Sequence, residues 1–401
     1  MLFLSELFYP HGSGGELATF LYANLLSREN VNVVVITNRF GGEPELTRRG
    51  DLTVYRLPLF KGETDSVKYS ILKRIDILHS NFIKKMMKWA DIVYIPRFWY
   101  SAIPLAKAYR KPVLVHLHDY IPICPLSTIY DASKEKVCDQ QSVLCPPECI
   151  YVYERKQGRD LAQTLISILL NSIVGQSFSK LVKFSNAIIC VSKAQKDIIV
   201  KREPSLSEKI YVVYNPIPEY PSNFEIKGAD FGYFGGPNLI KGFHILKQAL
   251  IKMNNKRLVI HATRFSRSEC SYQLSNGIKI FFYKRLDARH FKKLYERTCT
   301  VVVPSIYPEP LPYVVSEALL NGRVLIASRI GGIPEQVEGC KGVFLFEPGN
   351  YHELAEKLDY ICNLSQENLK DLGVSNREVF LKRFDNGRSI SAFLGICEKL
   401  I

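Results

Sequence analysis

The residues best placed to do chemistry lie within 304–322. There Glu309 and Glu317 stand with seven residues between them. The three valines 301–303 read as a buried strand that ends at Pro304, and a loop carrying Glu309 follows. Pro312 suits the first turn of a helix, where its missing N–H costs nothing. Gly322 suits the position just past that helix's C-terminus. This arrangement predicts Glu309 at a strand's carboxyl edge and Glu317 early in the helix, both facing one cleft. Between them, the first-turn N–H groups of Tyr313, Val314 and Val315 point at whatever anion enters. Two carboxylates bracketing an anion site suit a nucleotide sugar. One bonds sugar hydroxyls, the other ribose hydroxyls, and the helix end holds phosphate. The plainer alternative is a loop acid and a first-turn charge that complements the helix dipole.

Other segments have compatible chemistry. Gly12, Gly14 and Gly15 form a glycine loop after the first apolar run. It is not a dinucleotide fingerprint, because Leu17 stands where G-x-G-x-x-G needs glycine. A second glycine loop, Gly235 to Gly242, carries Lys241. No D-x-D occurs in the chain, in agreement with chemistry that holds no catalytic metal. Of ten cysteines, Cys124, Cys138, Cys145 and Cys149 cluster in a polar, proline-containing stretch. Four thiolates there would suit a structural zinc, two disulfides are the rival, and unlinked thiols are the third reading.

The elements that must position these residues alternate between strand-like and helical patterns, the signature of parallel α/β layers. One strand series covers 2–4, 31–37, 92–95, 113–118, 187–191 and 210–213. A second covers 231–234, 258–261, 278–282, 300–303, 324–327 and 342–346. Three prolines in 214–221 make a stiff link between the series. The expected architecture is two doubly wound Rossmann-like domains facing a central cleft, with ligands at the carboxyl ends of the strands.

Composition narrows the class. The chain has 401 residues, 47% hydrophobic and 23% charged, which excludes disorder as the main state. Its formal charge of +14 is spread over both halves, which argues against a nucleic-acid arm and for anionic partners in general. Residues 68–88 carry Lys68, Lys73, Arg74, Lys84, Lys85 and Lys88 with Ile71, Ile75, Leu78, Phe82 and Met86 at helical steps. That is either a basic helix on a membrane surface or an ordinary solvated helix with a core-facing stripe. Residues 161–178 are apolar, with Gln163, Thr164, Asn171 and Gln176 among them. They read as a core or interdomain helix, with entry into lipid as the alternative. No run of ~18 unbroken apolar residues occurs, so no membrane-spanning helix is expected. The first six residues read as no secretory leader, and the expected location is cytoplasmic.

The ordered set of motifs resembles the retaining GT-B glycosyltransferases of family 4. It comprises the glycine loop at 9–15, Leu117-His118-Asp119-Tyr120, Val191-Ser192, Tyr214-Asn215-Pro216, the loop 235–242, Glu309 and Glu317, and Gly331-Gly332-Ile333-Pro334-Glu335. The resemblance covers essentially the whole chain. It implies an N-terminal acceptor-binding domain at 1–217 with a cysteine-rich loop at 119–160. A C-terminal nucleotide-sugar domain at 218–383 and a helix at 384–401 crossing back complete the chain. Glu309, Lys241 and His118 would be catalytic. Gly14, Gly15, Gly235, Gly236, Glu317, Tyr313, Val314 and Val315 would bind donor. Where the family carries an arginine after the donor-loop glycine, this chain has Gly236 and Pro237, and Arg264 and Arg285 are candidate substitutes. The implied activity is retaining, metal-independent transfer from a UDP- or GDP-sugar to a lipid-linked or polysaccharide acceptor. It would take place at the inner face of the cell membrane, with an anionic membrane surface as a further partner and no nucleic acid. The alternatives are a non-catalytic GT-B protein that binds sugar nucleotides or lipid, and a GT-B sugar-nucleotide epimerase.

Overall fold

The computed structural model describes residues 1–59, 78–139, 145–219, 226–255, 258–265 and 269–401. Two strand-rich layers form as the alternating pattern requires. Among the described residues the first sheet has eight strands in the order β10-β9-β6-β5-β1-β2-β4-β3. These are β1 (Leu2–Leu4), β2 (Val33–Asn38), β3 (Leu46–Arg49), β4 (Leu52–Leu57), β5 (Val93–Ile95), β6 (Val113–Leu117), β9 (Ala187–Cys190) and β10 (Ile210–Val212). The pair β7 (Tyr130–Asp131) and β8 (Lys136–Val137) forms a small separate hairpin within the cysteine-rich stretch.

Among the described residues the second sheet has seven strands in the order β13-β14-β12-β11-β15-β16-β17. These are β11 (Asp230–Tyr233), β12 (Val259–Thr263), β13 (Cys270–Gln273), β14 (Lys279–Tyr283), β15 (Thr298–Val303), β16 (Val324–Ser328) and β17 (Val343–Phe346). Every pairing in both sheets is parallel except β3 with β4 and β13 with β14. The central strands are buried on both faces, which is why β1, β2, β6, β15 and β16 read as near-continuous apolar runs rather than alternating ones.

Each sheet has one topological switch point. In the first, chain order reverses between β1 and β5. In the second it reverses between β11 and β15. Ligands in open α/β sheets bind beside such points, outside the carboxyl ends of the strands. The loops that leave these four strands carry Gly14, Arg97, Lys241 and Glu309.

The change of sheet falls between Val212 and Asp230. The final helix, Asn386–Glu398, packs on the core of the first sheet through Ile390, Phe393, Ile396 and Cys397, with the Phe393 ring against Tyr22 and Tyr94.

Two sequence expectations change. The first ten residues of the basic stretch 68–88 lie outside the described residues (68–77). In its described part, the helix Asn81–Trp89 buries Ile83 and Met87 and packs Phe82 and Met86 on the core. Its apolar stripe therefore faces protein, not a membrane. The second change concerns Leu161–Val182, a 22-residue helix expected in the core or between domains. It lies on the surface with Leu161, Leu165, Ile166, Leu169 and Ile173 exposed. By length and composition it could cross a membrane. The search for an unbroken apolar run misses it because Gln163, Thr164, Asn171 and Gln176 interrupt the pattern.

Candidate active site

The first switch point is built by three loops. Helix Gly14–Arg28 starts directly after the glycine loop, and Ser13 and Glu16 form a capping box in which the Ser13 amide donates to Glu16 Oε2 (2.7 Å). Arg97, two residues past β5, donates from Nη1 to Glu16 Oε1 (2.7 Å), and its Nε lies 3.4 Å from Asp119 Oδ2. Burial alone would raise Glu16, but Arg97 and the Ser13 amide outweigh it and hold the carboxyl below its usual range. His118 sits just past β6, packed on Gly15, whose added Cβ would lie 3.2 Å from the His118 Cβ. Burial pushes His118 down to about 4, with Glu16 opposing and Arg97 reinforcing. It is therefore a neutral imidazole, one nitrogen a donor and the other an acceptor. Neither ring nitrogen has a partner among the described residues. Buried polar atoms are normally bonded, so these two atoms are the ones free to meet a ligand. His116, by contrast, is a packed residue, fully buried with Nδ1 2.7 Å from the Tyr94 hydroxyl.

The second switch point presents Lys241 and Glu309 to each other. Lys241 ends a short 3-10 turn, Leu239–Lys241, which Asn238 caps by accepting from the Ile240 amide (3.2 Å). Gly242 closes that turn at φ +75°, and any Cβ there would lie 1.8 Å from the Pro304 carbonyl oxygen, so only glycine fits. Lys241 Nζ reaches Glu309 Oε1 at 2.6 Å, and Glu309 is only 3% exposed. Ser305 Oγ donates to the same oxygen (2.7 Å), and the Tyr307 hydroxyl donates to Oε2 (2.7 Å). Sequence reasoning named Lys241 and Glu309 but neither this ion pair nor its two hydroxyl supports. The loop is fixed from beneath by the glycine pair 331–332. The Gly332 amide donates to the Glu309 carbonyl (2.7 Å), and a Cβ on Gly332 would meet the Pro310 oxygen at 2.0 Å.

Helix Tyr313–Leu320 follows, with Pro312 at its cap and Gly322 in the left-handed region beyond its end. The Val315 amide is committed to the Pro312 carbonyl (3.1 Å). That removes it from the three amides expected to face an anion, because the first turn closes tightly on the proline. Burial raises Glu317 to about 7, with Arg264 acting in the opposite direction. Arg264 follows β12 in the left-handed region (φ +69°) and lies against Gly236. Burial and the nearby Arg285 lower Arg264, and Glu317 raises it. Arg264, Arg285 and Glu317 thus gather beside the donor loop, at the place where the expected arginine is missing.

The two walls meet. Arg285 donates to the Pro10 carbonyl (2.8 Å), and the Tyr313 hydroxyl donates to the Pro216 carbonyl (2.7 Å). Gly14 faces the Tyr313 ring. Gln157, just past the helix Pro147–Lys156, and Tyr153, within it, donate to Asn238 Oδ1 (2.9 and 3.4 Å). Glu335 reaches across to helix Lys193–Arg202, accepting from the amides of Lys193 (3.1 Å) and Ala194 (3.2 Å), and from the Tyr214 hydroxyl (2.6 Å). Ser192, one of the sequence motifs, is that helix's N-cap (3.1 Å from the Gln195 amide).

The cysteines form no disulfide, and no group of three His, Cys, Asp or Glu side chains is arranged for a metal among the described residues. Cys124 and Cys149 are buried, and Cys138 and Cys145 pack against the same core. A hydrogen bond from Cys145 lowers Cys149 to about 7.

Two family models together match most of the chain. One, described as Glycosyltransferase Family 4, covers residues 12–219. The other, Glycosyl transferases group 1, covers residues 233–379. The chain belongs to this family of glycosyltransferases. Among its relatives, an uncharacterized glycosyltransferase of Methanocaldococcus jannaschii, MJ1178, is 29% identical over 243 residues. That match covers 58% of this chain and just under two thirds (65%) of the relative. An uncharacterized 42.6 kDa protein from the cps region of Klebsiella pneumoniae is 22% identical, covering 86% of this chain and 90% of its own length. Of solved structures, Anabaena HepE in complex with UDP-glucose superposes with a TM-score of 0.62 at 18% identity, covering 100% of this chain and 98% of that one. At that identity the likeness speaks for the fold, and the fold is GT-B.

Proposed function

We propose that the protein transfers a sugar, with retention of configuration, from a nucleotide-diphosphate sugar to a lipid-linked or polysaccharide acceptor at a membrane face. The observation that carries the donor side is the Lys241–Glu309 pair at the second switch point, with Arg264 against Gly236. A diphosphate entering beside the start of helix Tyr313–Leu320 meets Lys241, Arg264 and Arg285. These cations stabilise the negative charge that develops on the departing nucleotide, which is a major electrostatic term in such a transfer. The domains expected at 1–217 and 218–383 each supply one wall of the cleft. HepE was solved with UDP-glucose, which supports a nucleotide sugar as the donor class here.

Glu309 holds the sugar's hydroxyls, with its own orientation fixed by Ser305 and Tyr307. Glu317 takes the ribose, and Gly14, Gly15, Gly235 and Gly236 let backbone approach the ligand closely. His118, neutral and unpartnered, bonds the transferred sugar from the opposite wall. In a retaining transfer the acceptor attacks from the face the nucleotide leaves, and a leaving phosphate oxygen takes its proton. No bound metal is required when Lys241, the arginines and helix N–H groups supply the positive charge. Arg264 against Gly236 also supports catalysis over a non-catalytic binder, since it supplies a cation where the family's arginine is missing.

The test is calorimetry with UDP- and GDP-sugars, followed by a turnover assay on wild type, Glu309→Ala and Lys241→Ala. Binding with turnover in wild type and loss of turnover in both folded variants is expected. Near-normal turnover in both variants refutes the assignment. Binding with no transfer or hydrolysis supports the non-catalytic alternative, and conversion of the donor without acceptor supports the epimerase.

A further inference from the structure

The N-terminal part of the helix Leu161–Val182 has its polarity reversed relative to a helix on a protein surface, while Phe178 and Val182 anchor its C-terminal end in the core. Its inward side carries Thr164, Ser167 and Asn171, all buried. Ser167 donates to Glu154, and Asn171 Nδ2 bonds Ser167 through its carbonyl (2.8 Å) and hydroxyl (2.9 Å). Its outward side carries Leu161, Leu165, Ile166, Leu169 and Ile173, each 50–62% exposed. At 100° per residue these five side chains fall within one continuous arc, opposite Thr164, Ser167 and Asn171. Scattered exposed apolar residues need no explanation, but a contiguous apolar face of this length does.

The end of the helix is cationic. Lys180 and Lys183 lie in its last turn and at its cap, and Lys209 donates to the Lys183 carbonyl. Lys107 bonds Asn186 nearby (2.6 Å), and burial and Lys107 together lower Lys209. Glu203 is the acid among them, paired to Lys183 at 2.7 Å. Phe184, just past the helix, is 64% exposed. No Asp or Glu occurs from 161 to 184.

We propose that this face docks on an anionic phospholipid bilayer, lying within its interface and not crossing it. Apolar side chains flanked by lysines match the two layers such a surface offers, acyl chains and acidic headgroups. Crossing is opposed by how the helix is held. Ser167 ties it to the helix Pro147–Lys156, Gly175 fits against Pro125, and Phe178 packs on Tyr100 (centroids 5.2 Å apart). A second copy of the chain would bring a like-charged face, whose acid Glu203 is already paired to its own Lys183. The location matters for the acceptor. The adjacent helix carries Tyr153, which with Gln157 just past its end contacts Asn238 of the donor loop, so docking brings the cleft to the lipid surface. The inference deepens the reading of a lipid-linked acceptor and rests on it only for this last point.

The test is co-sedimentation with vesicles of phosphatidylcholine, alone or with about 30% phosphatidylglycerol. Wild type should bind the anionic vesicles. The triple variant Leu165→Glu, Leu169→Glu, Ile173→Glu should bind roughly tenfold or more weakly, and Lys180→Glu with Lys183→Glu should lose the preference for anionic lipid. Leu169→Trp, which keeps the face apolar, should be quenched by brominated lipid. Three results overturn the proposal: no binding by wild type, equal binding by the triple variant, or an unquenched Trp. Self-association of wild type that the triple variant abolishes, without vesicle binding, assigns the face to a second copy instead. None of these readouts involves sugar transfer. The donor assignment is tested separately by nucleotide-sugar binding without vesicles.

Discussion

In the proposed reaction Lys241 does two things: it neutralises Glu309 and holds a departing diphosphate. A double-mutant cycle with Lys241→Met and Glu309→Gln measures how tightly these are linked. Removing Lys241 does not strand the carboxylate, because Ser305 and Tyr307 still donate to it at 2.7 Å. The lysine side chain is 29% exposed and the glutamate 4%, so the pair lies between a surface ion pair, worth about 0–1 kcal/mol, and a fully buried one, whose breakage costs about 3–5. A coupling of about 2 kcal/mol follows, or roughly 30-fold in kcat/KM at ~1.4 kcal/mol per decade. Each single change should cost about 3 kcal/mol of transition-state stabilisation, a 10²–10³-fold loss on the order seen for single electrostatic donors. The double variant should therefore lose about 4 kcal/mol and not 6. The assay is single-turnover release of nucleotide from the donor at saturating acceptor. Effects that add to within about 0.5 kcal/mol would show two independent residues and refute the shared-lysine reasoning.

Other consequences follow from single contacts. Burial raises Glu317 to about 7, so affinity for a nucleotide-diphosphate sugar should rise with pH towards and past that value as the carboxylate forms; calorimetry from acid to mildly alkaline pH, with Glu317→Gln as the flat control, checks it. His118 is held at about 4 against its model-peptide 6.5, so between those values the unfolded chain binds the extra proton and stability rises with pH. His118→Gln should flatten that part of a denaturation-versus-pH curve by up to about 3 kcal/mol at ~1.4 kcal/mol per unit. Gly332→Ala should cost about 3 kcal/mol or more in denaturant unfolding, because two backbones meet at that point and neither can yield. Glu335→Ala removes the acceptor for two helix-end amides and Tyr214. It should lower stability by about 1–3 kcal/mol, and unchanged melting would show the contact to be incidental.

Much of this was legible in the sequence. Parallel, doubly buried strands are runs of Val, Ile and Leu, so β1, β6, β15 and β16 stand out without any structure. The edges do not. β3 and β13 are the antiparallel outer strands, and their exposed residues, such as Arg48 and Cys270–Gln273, show no apolar run. Within the site, Glu309 and Lys241 were readable because each lies on a short motif at a strand end. Arg97 obeys the same rule, two residues past β5, although its pairing with Glu16 and Asp119 is not readable from position. Glu16 was hidden in its role as a capping residue. Asn238 and Glu335 act across the cleft, and a contact between residues 81 or 121 positions apart leaves no local trace. The helix Leu161–Val182 was misplaced for a related reason: periodicity shows that a helix has two faces but not which of them meets the protein.

The polypeptide passes between the two sheets twice, after β10 and again before Asn386. The two passages are stitched together, since the Ile217 amide donates to Asn386 Oδ1 (2.8 Å) and Asn386 Nδ2 donates to the Ile217 carbonyl (2.9 Å). Bodies joined by a single tether can swivel in any direction. Joined by two tethers clamped side by side, they are left chiefly with rotation about the line of the clamp. Any movement of one wall against the other is then confined to that line, which keeps His118 and Glu309 in one register across the cleft.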